Sequence, residues 1–540
     1  MTVKDTKFDS GMVVAAQPEA VEAGVEALRA GGNAVDAAVA CALVAGVVDP
    51  QMCGIAGFGS AQLYLPKDGV HTCVDFHGTA PSATKADMWE HLIVGEARDG
   101  FGFVLDGNVN DLGYQSITTP GSLLAYFEAQ TRYGRLQWAD VVAPAIRWAH
   151  EGFQIRPAVH NWWRESASMG RVDFKQRLSY SKSGREIYFH GDGTLRALGE
   201  TLQNHDLGNT LELIASEGAD VFYSGELAVR IDADMSANGG LLSGEDLAGY
   251  RTVWGDPLRT SYRGLDVATN QPPGGGVMVA EMLNILGNFD LANMGHNSVE
   301  YIRIVSEAMK LATADKDAHV GDPEFVDVPV ERLLSPGYGS ELADRIKAGE
   351  RANVERIDGE PPDTTHVSVV DSDGNAVSMT HSLGMPSGVI TDGLGFMYNG
   401  CMGVFDPRPN RAGSLSPGKR RFSSICPTIL FDDGELRTVI GAPGGTQIAM
   451  GVTQALLNGI DFEMPMLEAV IAPRFSSTSN AIDVSNRIPH STTEQLSAAG
   501  YDVIRWPKSY AFALVHGISV SNDGLSGAAD PGADGMAMSG

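Results

Sequence analysis

Apolar and polar positions alternate with two different periods along this chain, and the change falls near residue 363. Before it, helical spacing dominates. Val21, Val25 and Leu28 recur on one face after Pro18 and Glu19, the pattern stops at Gly31-Gly32, and Asn33 is placed to cap a second, almost wholly apolar stretch, AVDAAVACALVAGVV. Amphipathic helices are also predicted over TTPGSLLAYFEAQTRYG, QWADVVAPAIRWAHEGF, TLELIASEGADVFYSG and SVEYIRIVSEAMKLATADKDAHVG, with strands at AQLYLP, HTCVDF and GLDVATN. Beyond residue 363 short alternating runs take over: HVSVVD, AVSMTHS, GFMYN, PTILFDDGELRTVIG, YDVIRW and HGISVSN, separated by D-G, N-G and G-G turns. Helices are expected near 447–458 and 464–471. A helix-rich first part and a strand-rich last third sharing one sheet sandwich make an α+β, αββα arrangement.

Composition narrows what such a fold could do. The chain has 540 residues, 43% hydrophobic and 20% charged, enough for one large unit with a sizeable core. Lys and Arg number 39 against 67 Asp and Glu, a net charge of −28, which disfavours nucleic acid and anionic membrane surfaces as partners. The N-terminal residues carry no basic segment followed by an apolar run, and no stretch reaches membrane-spanning length, so a cytoplasmic location is expected. The cysteines, Cys41, Cys53, Cys73, Cys401 and Cys426, are odd in number and lack C-x-x-C spacing, which suggests buried thiols rather than disulfides or zinc ligands.

The familiar site motifs fail. GIAGFGS (54–60) and PPGGGV (272–277) are not G-x-G-x-x-G after a strand and are not followed by Lys-Ser/Thr, so close backbone approach in turns is the better reading than a nucleotide cradle. DSDGN at Asp371 has its glycine at the fourth rather than the sixth position of a calcium loop and reads as a hairpin turn. His366 and His381 have no helical ligand partner, G-x-S-x-G is absent, and no metal or other cofactor is expected.

Two adjacent threonines, Thr364 and Thr365, stand between the proline-rich GEPPD and a strand. A plain turn explains them, since Asp363 and the hydroxyls can satisfy free backbone N–H groups. If Asp373-Gly374 is a two-residue hairpin loop, Ser372 faces Asn375 and Thr365 stands opposite Ser382; one extra residue in the loop brings Thr364 opposite Ser382 instead. Either register gathers hydroxyls at the open end. A threonine freed as a chain N-terminus carries its own base, because an α-amino group with a pKa of about 7.7–8.0 can take the hydroxyl proton. That chemistry requires cleavage after Asp363.

At this point TTHVSVVDSDGNAVSMT resembles the start of the small subunit of the γ-glutamyltranspeptidases, N-terminal-nucleophile hydrolases. The opening helices, PPGGGV, EAMKLATADKDAHVGDP, PGKRRFSSICPTIL, GAPGGTQ and APRFS are similar to further family landmarks in the same order. The resemblance implies a precursor in which Thr364 attacks the Asp363 carbonyl, an N-to-O acyl shift forms an ester, and water divides residues 1–363 from 364–540. The two parts remain one catalytic unit. The freed Thr364 then attacks an amide and passes the acyl group to water or an amine. Ser382 matches the hydroxyl residue that supports the nucleophile. Gly444 and Gly445 match the oxyanion-hole glycines, where one lost donor costs about 3–4 kcal/mol.

The substrate-binding positions depart from the family. His77 in DFHGTAP takes the place of an arginine that holds the substrate carboxylate, and a planar bidentate cation is thereby replaced by a group mostly neutral at pH 7. Gly384 replaces an asparagine, and Cys401 and Val404 stand where the family holds the substrate ammonium; the carboxylate-binding pair Ser423 and Ser424 is retained. The expected activity is therefore an amidase or acylase for a small-molecule amide without a free α-amino group, such as a small acidic amide. A true γ-glutamyltransferase or glutathione hydrolase and an unprocessed, non-enzymatic relative are the alternatives. Pairing of processed chains into a homo-oligomer is left open.

Overall fold

The computed structural model describes residues 8–97, 100, 102–166, 171–354 and 365–540. Asp363 and Thr364, the expected cleavage point, lie outside the described residues.

Two antiparallel sheets form the centre. One runs in the order 536–539, 12–15, 365–370, 376–382, 58–65, 70–75 and 253–255; the other runs 524–529, 516–521, 435–441, 428–432, 265–269 and 258–262. Both sheets contain strands from before and after position 363, so neither part completes a sheet alone. Val14, Ala268, Val370, Ala376, Ile429, Phe431, Val439 and Ile518 fill the space between the sheets. Two polar crossings pin the layers: Ser378 Oγ donates to the Ile440 carbonyl at 3.0 Å, and Gln62 Nε2 donates to the carbonyls of Ala268 and Pro427 at 2.9 and 2.7 Å.

Helices cover both outer faces, completing the αββα sandwich. Pro18–Arg29, Ala34–Val48 and Ser122–Tyr133 pack on the first sheet, with Trp138–Glu151 behind Ala34–Val48; Gly276–Leu286 and Ile448–Ile460 pack on the second, with Val299–His319 behind Gly276–Leu286. The apolar helix starts where the sequence places it, with Asn33 accepting from the N–H groups of Val35 and Asp36, and Asp36 accepting in return from Asn33 N–H. All five cysteines are buried and free. Among the described residues no helix is long and apolar enough to cross a membrane.

Three expectations need correction. The Asp371–Asn375 turn is not a two-residue loop: Asp371 N–H bonds the Asn375 carbonyl at 2.9 Å, and Ser372, Asp373 and Gly374 form the loop with Gly374 at φ 80°. The cause is Asp371, whose carboxylate accepts from the N–H groups of Asp373, Asn375 and Ala34, the last being the first residue of the apolar helix. By contrast, DDG at 432–434 does make the two-residue turn, with Asp432 opposite Glu435. GFMYN is not a strand: its backbone meets the 386–389 loop, with Ser387 N–H on the Tyr398 carbonyl and Tyr398 N–H on Val389. YDVIRW contributes a strand, 503–505, to a separate three-stranded sheet rather than to the sandwich.

Candidate active site

The open end of the 365–370/376–382 hairpin is the first anchor of the site. Thr365 pairs with His381, which is the register of the three-residue loop; Thr364 lies outside the described residues. Ser382 is buried, and its Oγ accepts from the Gly384 N–H at 2.8 Å. The neighbouring strand supplies Phe58 opposite Ser382. Gly57 is needed there because a Cβ would lie 2.4 Å from the Ser382 carbonyl. Gly57 and Gly59 of GIAGFGS thus serve close backbone approach, a Cβ on Gly59 lying 2.3 Å from the Thr380 carbonyl, whereas one on Gly54 would meet nothing within 4 Å.

Thr365 faces the helical layer. Its Oγ1 accepts from Gln17 Nε2 at 3.0 Å, and the same amide nitrogen reaches Asp49 at 2.7 Å. Burial pushes the Asp49 carboxyl up to about 6, against the opposing pull of Arg156, Gln17 and Gln51. This chain, invisible to the sequence reading, holds the residue that follows position 364.

Gly444 and Gly445 end the stretch that continues the 435–441 strand and precede the helix Ile448–Ile460. Both have positive φ, 142° and 57°, and a Cβ on Gly444 would lie 2.6 Å from Ala513 Cα. Backbone N–H groups at such a turn, near a helix N-terminus, suit a developing oxyanion.

A small cavity is lined by Phe58, Val404, Arg421, Phe422, Ser423, Ser424, Gly445 and Thr446, among others. It therefore joins four of the sequence-predicted residues, Val404, Ser423, Ser424 and Gly445, to Phe58, Arg421, Phe422 and Thr446, which were not singled out. PPGGGV supports its wall: Ser423 N–H donates to the Pro273 carbonyl at 3.0 Å, and a Cβ on Gly275 would lie 2.5 Å from the Ser424 carbonyl.

His77 does not stand as a free replacement for a carboxylate clamp. It is buried, with Nδ1 2.7 Å from Asp75 Oδ1 and Nε2 2.6 Å from Ser423 Oγ. Burial raises the Asp75 carboxyl, but the ring and Arg420 outweigh it and hold the group below its ordinary value. The carboxylate therefore accepts from Nδ1–H, and Nε2 lies within hydrogen-bond reach of the Ser423 hydroxyl.

Gly384 and Cys401 form one contact patch. Gly384 has φ 73°, and a Cβ there would lie 2.8 Å from Cys401 Sγ. Cys401 Sγ lies 3.4 Å from the Leu383 carbonyl, and burial pushes its thiol up, Arg421 opposing. Val404 closes the short turn Cys401–Val404 and reaches the cavity.

The residue that sequence reasoning passed over is Arg421. Adjacent arginines occur in PGKRRFSS, and the chain turns them apart. Arg420 bonds Asp322 at 2.6 Å and Asp75 at 3.1 Å, whereas Arg421 lies over the Phe58 ring at 4.2 Å and lines the cavity. The doublet was the available signal; alternation along an extended segment makes two neighbouring side chains face opposite ways. Among the described residues no cluster of three or more His, Cys, Asp or Glu is placed to hold a metal ion.

The Gamma-glutamyltranspeptidase family model matches residues 20–540. The acylase ACY 1 proenzyme of Pseudomonas sp. (strain V22) is 38% identical over 541 residues, spanning 98% of this chain and 94% of the relative. The glutathione hydrolase proenzyme of Escherichia coli (strain K12) is 34% identical over 549 residues, spanning 96% and 90%. The solved cephalosporin acylase from Bacillus halodurans matches with a TM-score of 0.87 at 29% identity, over 100% of this chain and 97% of that one. The chain belongs to the γ-glutamyltranspeptidase family of enzymes.

Proposed function

We propose that the chain is a proenzyme that cuts itself between Asp363 and Thr364 and then cleaves a small-molecule amide, with an acyl specificity other than γ-glutamyl. Thr364 is the nucleophile, and its freed α-amino group takes the hydroxyl proton. Ser382 orients it, and the Gly444 and Gly445 N–H groups receive the oxyanion. The acyl-enzyme ester is then opened by water or an amine. Residues 1–363 and 364–540 stay together as one catalytic unit.

The observation that carries this reading is the hairpin register, Thr365 with His381, which is the three-residue-loop register for which the sequence sets Thr364 opposite Ser382. The acyl preference is supported by position 77, tied to Asp75 and Ser423 rather than carrying a guanidinium, and by the absence of any carboxylate at 384, 401 and 404. Likeness to proteins named acylase proenzyme and cephalosporin acylase points the same way.

A denaturing gel of fresh and aged protein tests the first step. Two fragments in wild type and one full-length band in Thr364→Ala are expected; a single band in both overturns the reading. Turnover of γ-glutamyl-p-nitroanilide accelerated by glycylglycine would instead restore γ-glutamyl transfer as the activity.

A further inference from the structure

The strand that begins at Thr365 is held on one edge by a side chain where a neighbouring strand runs out. Strand 12–15 pairs with 365–370 only as far as Ala15 opposite Val367, two residues short of Thr365, and Gln17 stands two residues past Ala15. Its amide continues where the main-chain ladder stops: Nε2 donates to Thr365 Oγ1 at 3.0 Å and to Asp49 Oδ2 at 2.7 Å. Gln17 is itself anchored, because its carbonyl accepts from the N–H groups of Ala20 and Val21 at the start of the helix Pro18–Arg29.

The direction of this chain is set from its far end. The Trp163 indole N–H can only donate, and it donates to Gln51 Oε1 at 2.9 Å. The Gln51 amide therefore turns Nε2 toward Asp49 Oδ1, which accepts. With both carboxylate oxygens accepting, Gln17 must also present its Nε2, and the second proton of that nitrogen goes to Thr365. The turn that carries Asp49 holds the facing strand end too, since Leu383 N–H, next to Ser382, donates to the Met52 carbonyl at 2.8 Å. Stability does not account for the acid. Asp49 closes the helix Ala34–Val48, where burial and the negative end of the helix both disfavour an anion. Of the charged groups around it, Arg156 favours the anion and Glu19 opposes it, and the Cys53 thiol, pushed up by burial, faces it as a neutral group.

We propose that Asp49 is a positioning residue for self-cleavage: as an anion it locks Gln17 onto Thr365 and so holds the residue that follows the bond to be cut. The assignment rests on 363–364 being that bond. In the reaction the Thr364 Oγ bonds to the Asp363 carbonyl carbon, the C–N bond breaks as nitrogen takes the hydroxyl proton, and water splits the ester into the Asp363 carboxyl and the free Thr364 hydroxyl. Once protonated, Asp49 becomes a donor, the Gln17 amide turns Oε1 toward it, and Thr365 Oγ1 loses its N–H partner. Burial, which raises this carboxyl to about 6 against Arg156, Gln17 and Gln51, places that change just below neutral pH.

Full-length chain from cell-free translation, followed on a denaturing gel across a pH series, tests this with wild type, Asp49→Asn, Gln17→Met and their double variant. Near neutral pH each single variant should slow the appearance of the two fragments about 10- to 30-fold, the span of one charge-assisted contact. The double variant should be no slower than Gln17→Met, because Asp49 acts through that amide. The ratio of wild-type to Asp49→Asn rates should shrink toward one as pH falls from about 7 to about 5, a change that a loss of packing does not produce. Thr365→Ser and Thr365→Val form a second comparison: serine keeps the acceptor and should cleave near the wild-type rate, and valine should slow like Gln17→Met. Melting temperatures measured with Thr364→Ala added, which keeps every chain whole, separate slow cleavage from failure to fold.

Cleavage of Asp49→Asn and Thr365→Val at the wild-type rate, or a double variant slowed by the product of the single effects, overturns the inference and leaves self-cleavage standing. A wild-type chain that yields no fragments removes the self-cleavage reading and this inference with it.

Discussion

His77 Nε2 lies 2.6 Å from Ser423 Oγ, and the two residues come from opposite sides of position 363. The contact joins the wall of the cavity to the Asp75–Arg420–Asp322 ion-pair chain behind it, so Ser423 is held by a network rather than by its own rotamer. A double-mutant cycle of His77→Ala and Ser423→Ala should show a coupling of about 1 kcal/mol in unfolding free energy. Each single variant leaves a buried group unsatisfied, whereas the pair removes both ends. Zero coupling would mean that the contact contributes nothing. His77→Arg should lower stability rather than restore γ-glutamyl turnover, because the ring position is closed on all sides by Asp75, Ser423 and Phe58.

Gly384→Ala combines a left-handed backbone, φ 73°, with a Cβ placed 2.8 Å from Cys401 Sγ. A loss of about 2 kcal/mol or more is expected, from backbone strain and overpacking together. Chemical denaturation measures it. Cys401→Ala in the same chain should recover the packing part and leave the strain, so full recovery would show that φ at 384 is unimportant.

The turn at Asp371 makes a different kind of demand. One carboxylate shapes the loop and also accepts the Ala34 N–H at 3.0 Å, fixing the hairpin to the first turn of the apolar helix. Asp371→Ala should cost about 1–2 kcal/mol, the range of a lost helix cap. In the hairpin, the change should loosen register and slow cleavage at 363–364, read as persistence of full-length chain on a gel over hours. Unchanged processing would separate the register from the reaction.

The helix pairs, the Asn33 cap and the antiparallel runs were legible in the sequence because each depends on local spacing and capping chemistry. The hairpin register was legible only as a choice between two, since Asp371 decides it through Ala34, far away in sequence. GFMYN carried alternation without being a strand because its backbone bonds go to a neighbouring loop. At the site, the hydroxyl and glycine landmarks stood out, but Arg421 did not. Which of two adjacent arginines turns inward depends on where Asp322 and Asp75 draw Arg420, and that is a tertiary fact.

Three buried histidines make stability depend on pH from an unusually high starting point. Burial pushes His381 and His516 down to about 3 and holds His366 well below its ordinary value, with the other two rings adding to it or flanking it. His381 Nδ1 lies 2.7 Å from the Tyr126 hydroxyl, and His366 Nδ1 and Nε2 lie 2.7 and 3.0 Å from Thr380 and Ser368. In the unfolded chain these rings take protons as pH falls through about 6.5, while in the folded chain His381 and His516 refuse them down to about 3 and His366 stays well below its ordinary value, so the unfolded state binds more protons in that window. Stability therefore falls as pH drops from about 6.5 toward 3, by up to about 1.4 kcal/mol per pH unit for each ring. Asp49 works in the opposite sense: its carboxyl, raised to about 6, favours the folded state at low pH and loses that contribution as pH rises through 6. Glu281, which burial holds well above its ordinary value, acts in the same sense as Asp49, while His71, pushed by burial down to about 4, adds to the three rings. The melting temperature should decline steadily from pH 6.5 to 4.5, above the range where ordinary carboxylates titrate, and the slope should shallow in His516→Gln. A melting temperature flat across that interval would show that the rings are hydrated and protonated in the folded protein.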